Sequence, residues 1–402
     1  MPSVLFVYNA PADSIPVLLS NAVAKNNVDE CYKIIHKIIE IAYENNYANG
    51  NLWHNYLTHF ILSNENIFSL ACERKDAPED SLRDFALHDF ELFMQLFRLI
   101  HESIAQISYF KGNVGQKSII CDVSKKLVAS ETPHEFFEHV CNFYKNFGIG
   151  MFALNKAFRL GTNSIIPVAN KNVGDVKLND IVGYEIQKQE LKSNTEAFLA
   201  GFPANNVLLY GDGGTGKSTS VKALLNEYFS QGLRVVEIYK HQFREILRLT
   251  ETLRKRSYKF IIFIDDLSFE EDESEYKYLK AVIEGGIEMR PHNVLIYATS
   301  NRRHIIREIW SDRDDMEHNG DIHRSDTVEE KLSLASRFGI AINYSAPTRK
   351  EYHEIVLALA EKAGLKFNRD ELLKAANSWE IRHGGMSGRA ARQFIDYKLG
   401  IK

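Results

Sequence analysis

The stretch Gly211-Asp212-Gly213-Gly214-Thr215-Gly216-Lys217-Ser218 decides the reading of this chain. It fits G-x-x-x-x-G-K-[ST], and its surroundings give the match meaning. The apolar run Val207-Leu208-Leu209-Tyr210 reads as a short buried strand before it, and Ser218 to Phe229 reads as a helix after it. In that order, glycines let backbone N–H groups turn inward around phosphate oxygens. The helix N-terminus adds a favourable dipole. Gly211, Asp212, Gly213, Gly214, Thr215, Gly216, Lys217, Ser218 and Thr219 are therefore the expected phosphate cradle. Lys217 is expected to reach the β- and γ-phosphates, and the Ser218 hydroxyl to bind Mg²⁺.

Working outward, short β runs alternate with helical ones. The expected strands are Val207–Tyr210, Arg234–Ile238, Phe260–Ile264, Val294–Ala298 and Ile340–Asn343. Near-continuous apolar strands separated by helices imply a parallel sheet covered on both faces. Ligands of such sheets sit beyond the strand C-terminal ends. The segment Phe260-Ile261-Ile262-Phe263-Ile264-Asp265-Asp266 is an apolar strand ending in two acids. Asp265 is expected to hold Mg²⁺, and Asp266 to polarise the attacking water. Val294 to Ala298 leads into Thr299-Ser300-Asn301, where Asn301, with Ser300 second, is the polar tip expected to orient water. Arg337, in Ser336-Arg337-Phe338, is placed to supply charge to the γ-phosphate of a neighbouring subunit. Ser387 caps a final helix that carries Arg389 in its first turn, with Arg392 one turn later as a substitute.

As an ordered set, these motifs resemble Walker A, Walker B, sensor 1, the arginine finger and sensor 2 of the AAA+ ATPases. Leu178 to Glu185 resembles the segment that packs against adenine, with Val182 and Gly183 as the contacts. The likeness covers residues 178–402. Within the superfamily the chain is similar to a bacterial AAA+ family without an assigned biological role. The shared pieces are Asp180 to Gln187, Asp265 to Phe269, and Gly385 to Phe394. The resemblance implies an α/β fold with a parallel-sheet P-loop AAA+ core and a C-terminal helical lid. It implies Mg²⁺-dependent ATP hydrolysis driving conformational change of a partner, with ATP and Mg²⁺ as cofactors. It also implies a homo-oligomer, the hexamer being the superfamily default.

Two departures bear on the mechanism. Most AAA+ proteins place Glu after the Mg²⁺ aspartate; here Asp266 is one methylene shorter, so slow basal hydrolysis is expected. Unfoldases carry an aromatic–apolar–Gly pore loop where this chain reads Tyr239-Lys240-His241-Gln242-Phe243-Arg244, so a peptide-threading pore is not expected. Helicase loaders, which act more as switches, also tolerate a second Asp. The alternative is therefore a nucleotide-gated module that binds DNA or a replication protein. A small-molecule kinase is disfavoured by sensor 2 and the helical lid.

Residues 1–165 read as a mainly α-helical N-terminal domain that holds an unknown protein partner, 166–177 as a linker, 178–346 as the nucleotide-binding domain and 347–402 as the lid. In the first of these, Cys31, Ile34, Ile35, Ile38, Ile39 and Tyr43 recur at helical spacing, as do Phe90, Phe93, Met94, Phe97, Ile100 and Ile104. Thr132-Pro133-His134-Glu135 is a helix start, with Thr132 as cap and Glu135 completing the box. Cys31, Cys72, Cys121 and Cys141 lack C-x-x-C spacing and are expected as buried reduced thiols.

The formal net charge is −4, and residues 1–170 hold 14 Lys+Arg against 18 Asp+Glu, so no global basic field advertises nucleic acid. Only Arg254-Lys255-Arg256 and Arg302-Arg303-His304 form basic clusters, weak support for DNA contact. The charged stretch Ser311 to Glu330, with His318 and His323, reads as an insertion near a subunit contact. The opening residues lack the pattern of a signal peptide, and no run approaches the roughly 18 apolar residues of a span, so a cytoplasmic protein without membrane contact is expected.

Overall fold

The computed structural model describes residues 5–45, 47–74, 78–98, 107, 110, 119–162, 164–269, 275–284, 291–301, 334 and 336–400. It divides into two compact units, Met1–Asn155 and Lys156–Lys402. Arg302, Arg303 and His304, the stretch 311–330 with His318 and His323, and Ile100 and Ile104 lie outside the described residues.

The first unit is helical. Helix Val28–Glu44 buries Cys31, Ile34, Ile35 and Ile38, whereas Tyr43 points outward and packs edge-on against Phe110. Helix Asp80–Phe97 buries Phe90, Phe93, Met94 and Phe97. Helix Pro133–Phe147 presents Phe136, Val140, Phe143 and Tyr144 to the same core. Thr132 accepts from the Glu135 N–H at 3.2 Å. The Glu135 carboxylate reaches back to the Glu131 N–H at 2.8 Å, one residue before the cap. Asp89, fully buried, accepts from the N–H groups of Phe6, Val7 and Tyr8 and ties the incoming chain to this core. All four cysteines are free thiols. Cys72 and Cys141 lie 3.4 Å apart in sulfur–sulfur distance, a proximity that their sequence spacing hides.

The second unit is built on a seven-stranded sheet of order β2-β1-β4-β5-β6-β3-β7. The strands are β1 Ala157–Leu160, β2 Ile165–Val168, β3 Val207–Gly211, β4 Leu233–Ile238, β5 Lys259–Ile264, β6 Val294–Ser300 and β7 Ile340–Tyr344. All neighbours are parallel except β1 and β2. β3 to β7 sit where the apolar runs are. β1 and β2 correct the sequence reading: the end of the expected N-terminal domain and the start of the expected linker are sheet. Their apolar runs are too short, and Gly161 and Pro167 too turn-like, to read as strands alone. Pro167 is tolerated because β2 is an edge strand.

Both faces of the sheet are covered. Val207 and Leu209 share a core with Leu191 and Phe198 of helix Glu185–Leu199 and with Val221 and Leu225 of helix Lys217–Tyr228. Leu208, between them in sequence, is equally buried on the opposite side. The chain ends in three helices, Arg349–Lys362, Arg369–Arg382 and Gly388–Gly400. Tyr352, Val356, Leu372, Ala376, Ala391 and Phe394 form their separate core. Thr348 and Glu351 cap the first of them reciprocally. That capping holds the Glu351 carboxyl below its usual range. Among the described residues, no helix is long and apolar enough to cross a membrane.

Candidate nucleotide-binding site

The parallel register brings the site together. Tyr210 at the end of β3 pairs with Ser300 of β6 on one side and Asn343 of β7 on the other. Ile264 of β5 pairs with Ala298 of β6. The P-loop, the two acids and the Thr299–Asn301 tip therefore open on the same edge, which is the C-terminal edge of the strands. A cleft of about 690 Å³ lies there, bounded on its far side by the lid helices. That volume suits a nucleotide-sized ligand.

One end of the cleft is apolar. It is lined by Ile181, Val182 and Tyr184 from the core and by Ile355 and Leu359 from the lid. The other end is lined by Gly214, Thr215, Gly216, Lys217, Ser218, Thr219, Asp265, Asp266, Asn301 and Arg389. Lys222, Thr299 and Arg392 also line it. Gly183, Gly211, Asp212 and Gly213, expected as contacts, do not line the cleft. Ser300 is buried and Asn301 reaches the cleft, so of the two polar tips only Asn301 does so.

At the polar end the side chains form two hydrogen-bonded sets. Ser218 Oγ donates to Asp265 Oδ1 at 2.6 Å, and Thr299 Oγ1 donates to the same oxygen at 2.6 Å. Thr299 Oγ1 also accepts from the Asp266 N–H at 2.9 Å, which fixes the turn after β5. Asn301 bridges the second set: its Oδ1 accepts from Lys217 Nζ at 3.1 Å, and its Nδ2 donates to Asp266 Oδ1 at 2.7 Å. Asp266 has φ of 53°, the left-handed region that Asp tolerates better than most residues. Burial holds the Lys217 ammonium below its ordinary range. Asp212, Asp266 and Asp265 oppose that shift, and Arg389 adds to it.

The glycines have positional reasons. Gly216 has φ of 99° and precedes the P-loop helix as its N-cap. A Cβ on Gly211, whose φ is 128°, would lie 2.3 Å from the Tyr344 carbonyl oxygen. Arg337 does not line this cleft; it sits just before β7 and pairs with Glu284. Thr299, which motif reading passes over, lines the cleft and donates to Asp265. Its signal was available, since it lies at the C-terminal end of an otherwise apolar strand.

The donor set fits the groups that the motifs imply. A hydroxyl and a carboxylate in hydrogen-bond contact are hard oxygen donors of the kind Mg²⁺ takes. The apolar end offers flat aliphatic surfaces to a base.

Fold and site together define an AAA+ P-loop protein. A family model described as "Protein of unknown function (DUF815)" matches residues 153–402, and the chain belongs to that family. Among curated proteins, the chain is 25% identical over 224 residues to the 26S proteasome regulatory subunit 6B homolog of Aspergillus niger, covering 50% of this chain and 49% of that one. It is 24% identical to the homolog of the same name from Encephalitozoon cuniculi (strain GB-M1), covering 50% and 54%. The chain thus spans about half the length of the curated relatives it matches. Among solved structures it is similar to a point mutant of Thermotoga maritima RuvB, with TM-score 0.38 and 18% identity over 56% of this chain and 65% of that one. The Thermotoga maritima RuvB Holliday junction branch migration motor aligns with TM-score 0.34 and 16% identity, over 55% and 71%.

Proposed function

We propose that this chain is an ATPase that binds ATP with Mg²⁺, hydrolyses it, and uses the cycle to move its lid and remodel a protein partner held by the N-terminal unit. The carrying observation is the pair of hydrogen-bonded sets around Asp265 and Asp266, set beside the P-loop at the polar end of one cleft. Ser218 and Asp265 would hold Mg²⁺, which neutralises developing phosphate charge when bound. Lys217 and Arg389 stabilise phosphate charge within the subunit. Asp266 takes the proton from an attacking water, and Asn301 positions both that carboxylate and Lys217. Val182, with Ile355 and Leu359 opposite, flanks the base, while Gly183, the other expected contact, lies next to it in the chain and outside the lining. Catalysis of this kind consists of positioning and electrostatics.

Arg337 lies outside the cleft, which agrees with service to the site of a neighbouring copy in a homo-oligomer. The test is ATP hydrolysis per subunit across a wide range of protein concentration, with Arg337→Ala beside the parent. Specific activity that rises with concentration, and a variant that lacks the rise, support the reading. Flat activity with an indifferent variant removes the trans-acting arginine.

A second reading, a nucleotide-gated switch with slow hydrolysis, draws on one observation. The Asp266 carboxylate is short and already engaged by Asn301. ATP occupancy would then be the signal. Rapid turnover without any partner would exclude it.

A further inference from the structure

The Asp212 side chain belongs to the phosphate loop by sequence, yet it points away from the cleft. Its carboxylate Oδ2 accepts from the Ala346 N–H at 2.6 Å. Its own N–H donates to the Tyr344 carbonyl at 3.0 Å. Tyr344 closes β7, and Ala346 lies in the short connection from it to the lid, whose first helix begins at Arg349. The contact is tight by construction, because only glycine at position 211 leaves room for the Tyr344 carbonyl. On its other side, the Asp212 carbonyl accepts from Lys217 Nζ at 2.6 Å and from Thr215 Oγ1 at 2.8 Å. One residue thus touches the phosphate-seeking lysine with its carbonyl and the lid hinge with its N–H and carboxylate. A second attachment lies two residues on, where the Arg389 N–H at the start of the last lid helix donates to the Gly214 carbonyl at 3.1 Å.

We propose that Asp212 is a positioning residue, which transmits occupancy of the phosphate loop to the lid through Tyr344 and Ala346. This rests on the nucleotide-binding reading above. A phosphate that draws Lys217 Nζ toward itself competes with the Asp212 carbonyl for that cation. The Asp212 carbonyl then keeps only its bond from Thr215 Oγ1, and because the N–H and carboxylate of the same residue grip the hinge, the shift of residue 212 is passed to the first lid helix. Ser220 Oγ, which accepts from the Tyr344 hydroxyl at 3.1 Å, anchors the same tyrosine to the P-loop helix and leaves the hinge as the part that yields. The physical content is coupling: a ligand shifts the lid only through contacts that differ between its bound and free forms.

The test uses the full chain, ADP and the slowly hydrolysed analogue ATPγS. Amide exchange of the lid helices is followed by mass spectrometry, and affinity by fluorescent ADP. Ala346→Pro removes the hinge donor without altering the phosphate loop. Asp212→Ala removes the acceptor, and Asp212→Asn keeps an oxygen toward the hinge. In the parent, ATPγS is expected to slow exchange in residues 349–362 by about tenfold relative to the free protein. In Ala346→Pro that slowing is expected to fall below about twofold, with ADP affinity within about threefold of the parent. Asp212→Ala should behave the same way in exchange, and Asp212→Asn should restore most of the response. A lid damaged outright would exchange faster in the free protein as well, and that result counts against coupling. Variants that respond like the parent overturn the proposal. Loss of ADP binding in Ala346→Pro also overturns it, since the hinge would then be part of the binding site. A parent that binds neither nucleotide refutes the nucleotide reading itself, and affinity alone reveals that case.

Discussion

Ser218 Oγ and Asp265 Oδ1 meet at 2.6 Å, although 47 positions separate them in the chain. One residue lies in the first turn of the P-loop helix and the other directly follows β5. Their contact presents two hard oxygen ligands side by side, with Thr299 holding the carboxylate from behind. If this is the Mg²⁺ site, hydrolysis should fall to background in EDTA. Ser218→Ala should raise the Mg²⁺ concentration needed for half-maximal rate by about tenfold, the effect of one lost ligand. Asp265→Asn should abolish turnover. A Mg²⁺ titration of the three proteins decides this.

Asp266 presents a sharper trade. Asp266→Asn keeps the size and tolerates φ of 53°, so the fold should be unaffected while turnover falls by about 100-fold or more. Asp266→Glu restores the longer reach of most AAA+ proteins and is expected to raise basal turnover several-fold. It should also lower Tm by a few degrees, because Glu is less at ease in the left-handed region. Steady-state rates and thermal melts on the same samples test both halves. A Glu variant slower than the parent would show that the short carboxylate is the tuned one.

Two loop glycines that look equivalent in sequence should separate in stability. A Cβ on Gly211 meets the Tyr344 carbonyl at 2.3 Å in a left-handed backbone, whereas one on Gly213 meets nothing within 4 Å. Gly211→Ala should therefore cost about 2–4 kcal/mol, and Gly213→Ala less than about 1 kcal/mol. Chemical denaturation of the nucleotide-free protein is the measurement.

The N-terminal unit carries its own acid sensitivity. Burial lowers the pKa of His59 from its ordinary 6.5 to about 4, so the folded unit favours the neutral imidazole. Between these values the unfolded chain binds the proton and the folded one resists it. Stability is thus fully present above the unfolded pKa and is lost as pH falls from about 6.5 toward about 4. His54 is lowered for the same reason, with its hydrogen bond to the Phe97 carbonyl opposing the shift. His59→Gln should flatten the pH dependence of the unit's melting temperature across this window. An unchanged slope would place the acid sensitivity elsewhere.

The lid has a complementary contact with the core. Asp180, before the apolar end of the cleft, pairs with Lys362 at the end of the first lid helix. That ammonium, with the Lys177 N–H, holds the Asp180 carboxyl below its usual range. A depressed acid contributes stability above its unfolded pKa, near 3.8, that is lost as pH falls through the folded value. Lys362→Met should raise the Asp180 pKa, read by NMR titration, and loosen the lid without touching the phosphate end.

Much of the candidate site's layout was legible because its parts are local. The glycine loop, the strand ending in Asp265-Asp266 and the cap at Ser387 each require a residue type at a fixed short spacing, and backbone chemistry alone enforces it. The apolar runs of β3 to β6 were legible for a related reason, since strands buried on both faces are mostly apolar. Tertiary structure decided what spacing does not encode. It placed Thr299 against Asp265, seated β1 and β2 on the sheet edge, brought Cys72 beside Cys141, and turned the Asp212 carboxylate from the phosphate side to the lid hinge. Each of these is a contact between segments far apart in the chain. Its existence depends on strand order and packing, and no local rule of residue type and spacing contains that information.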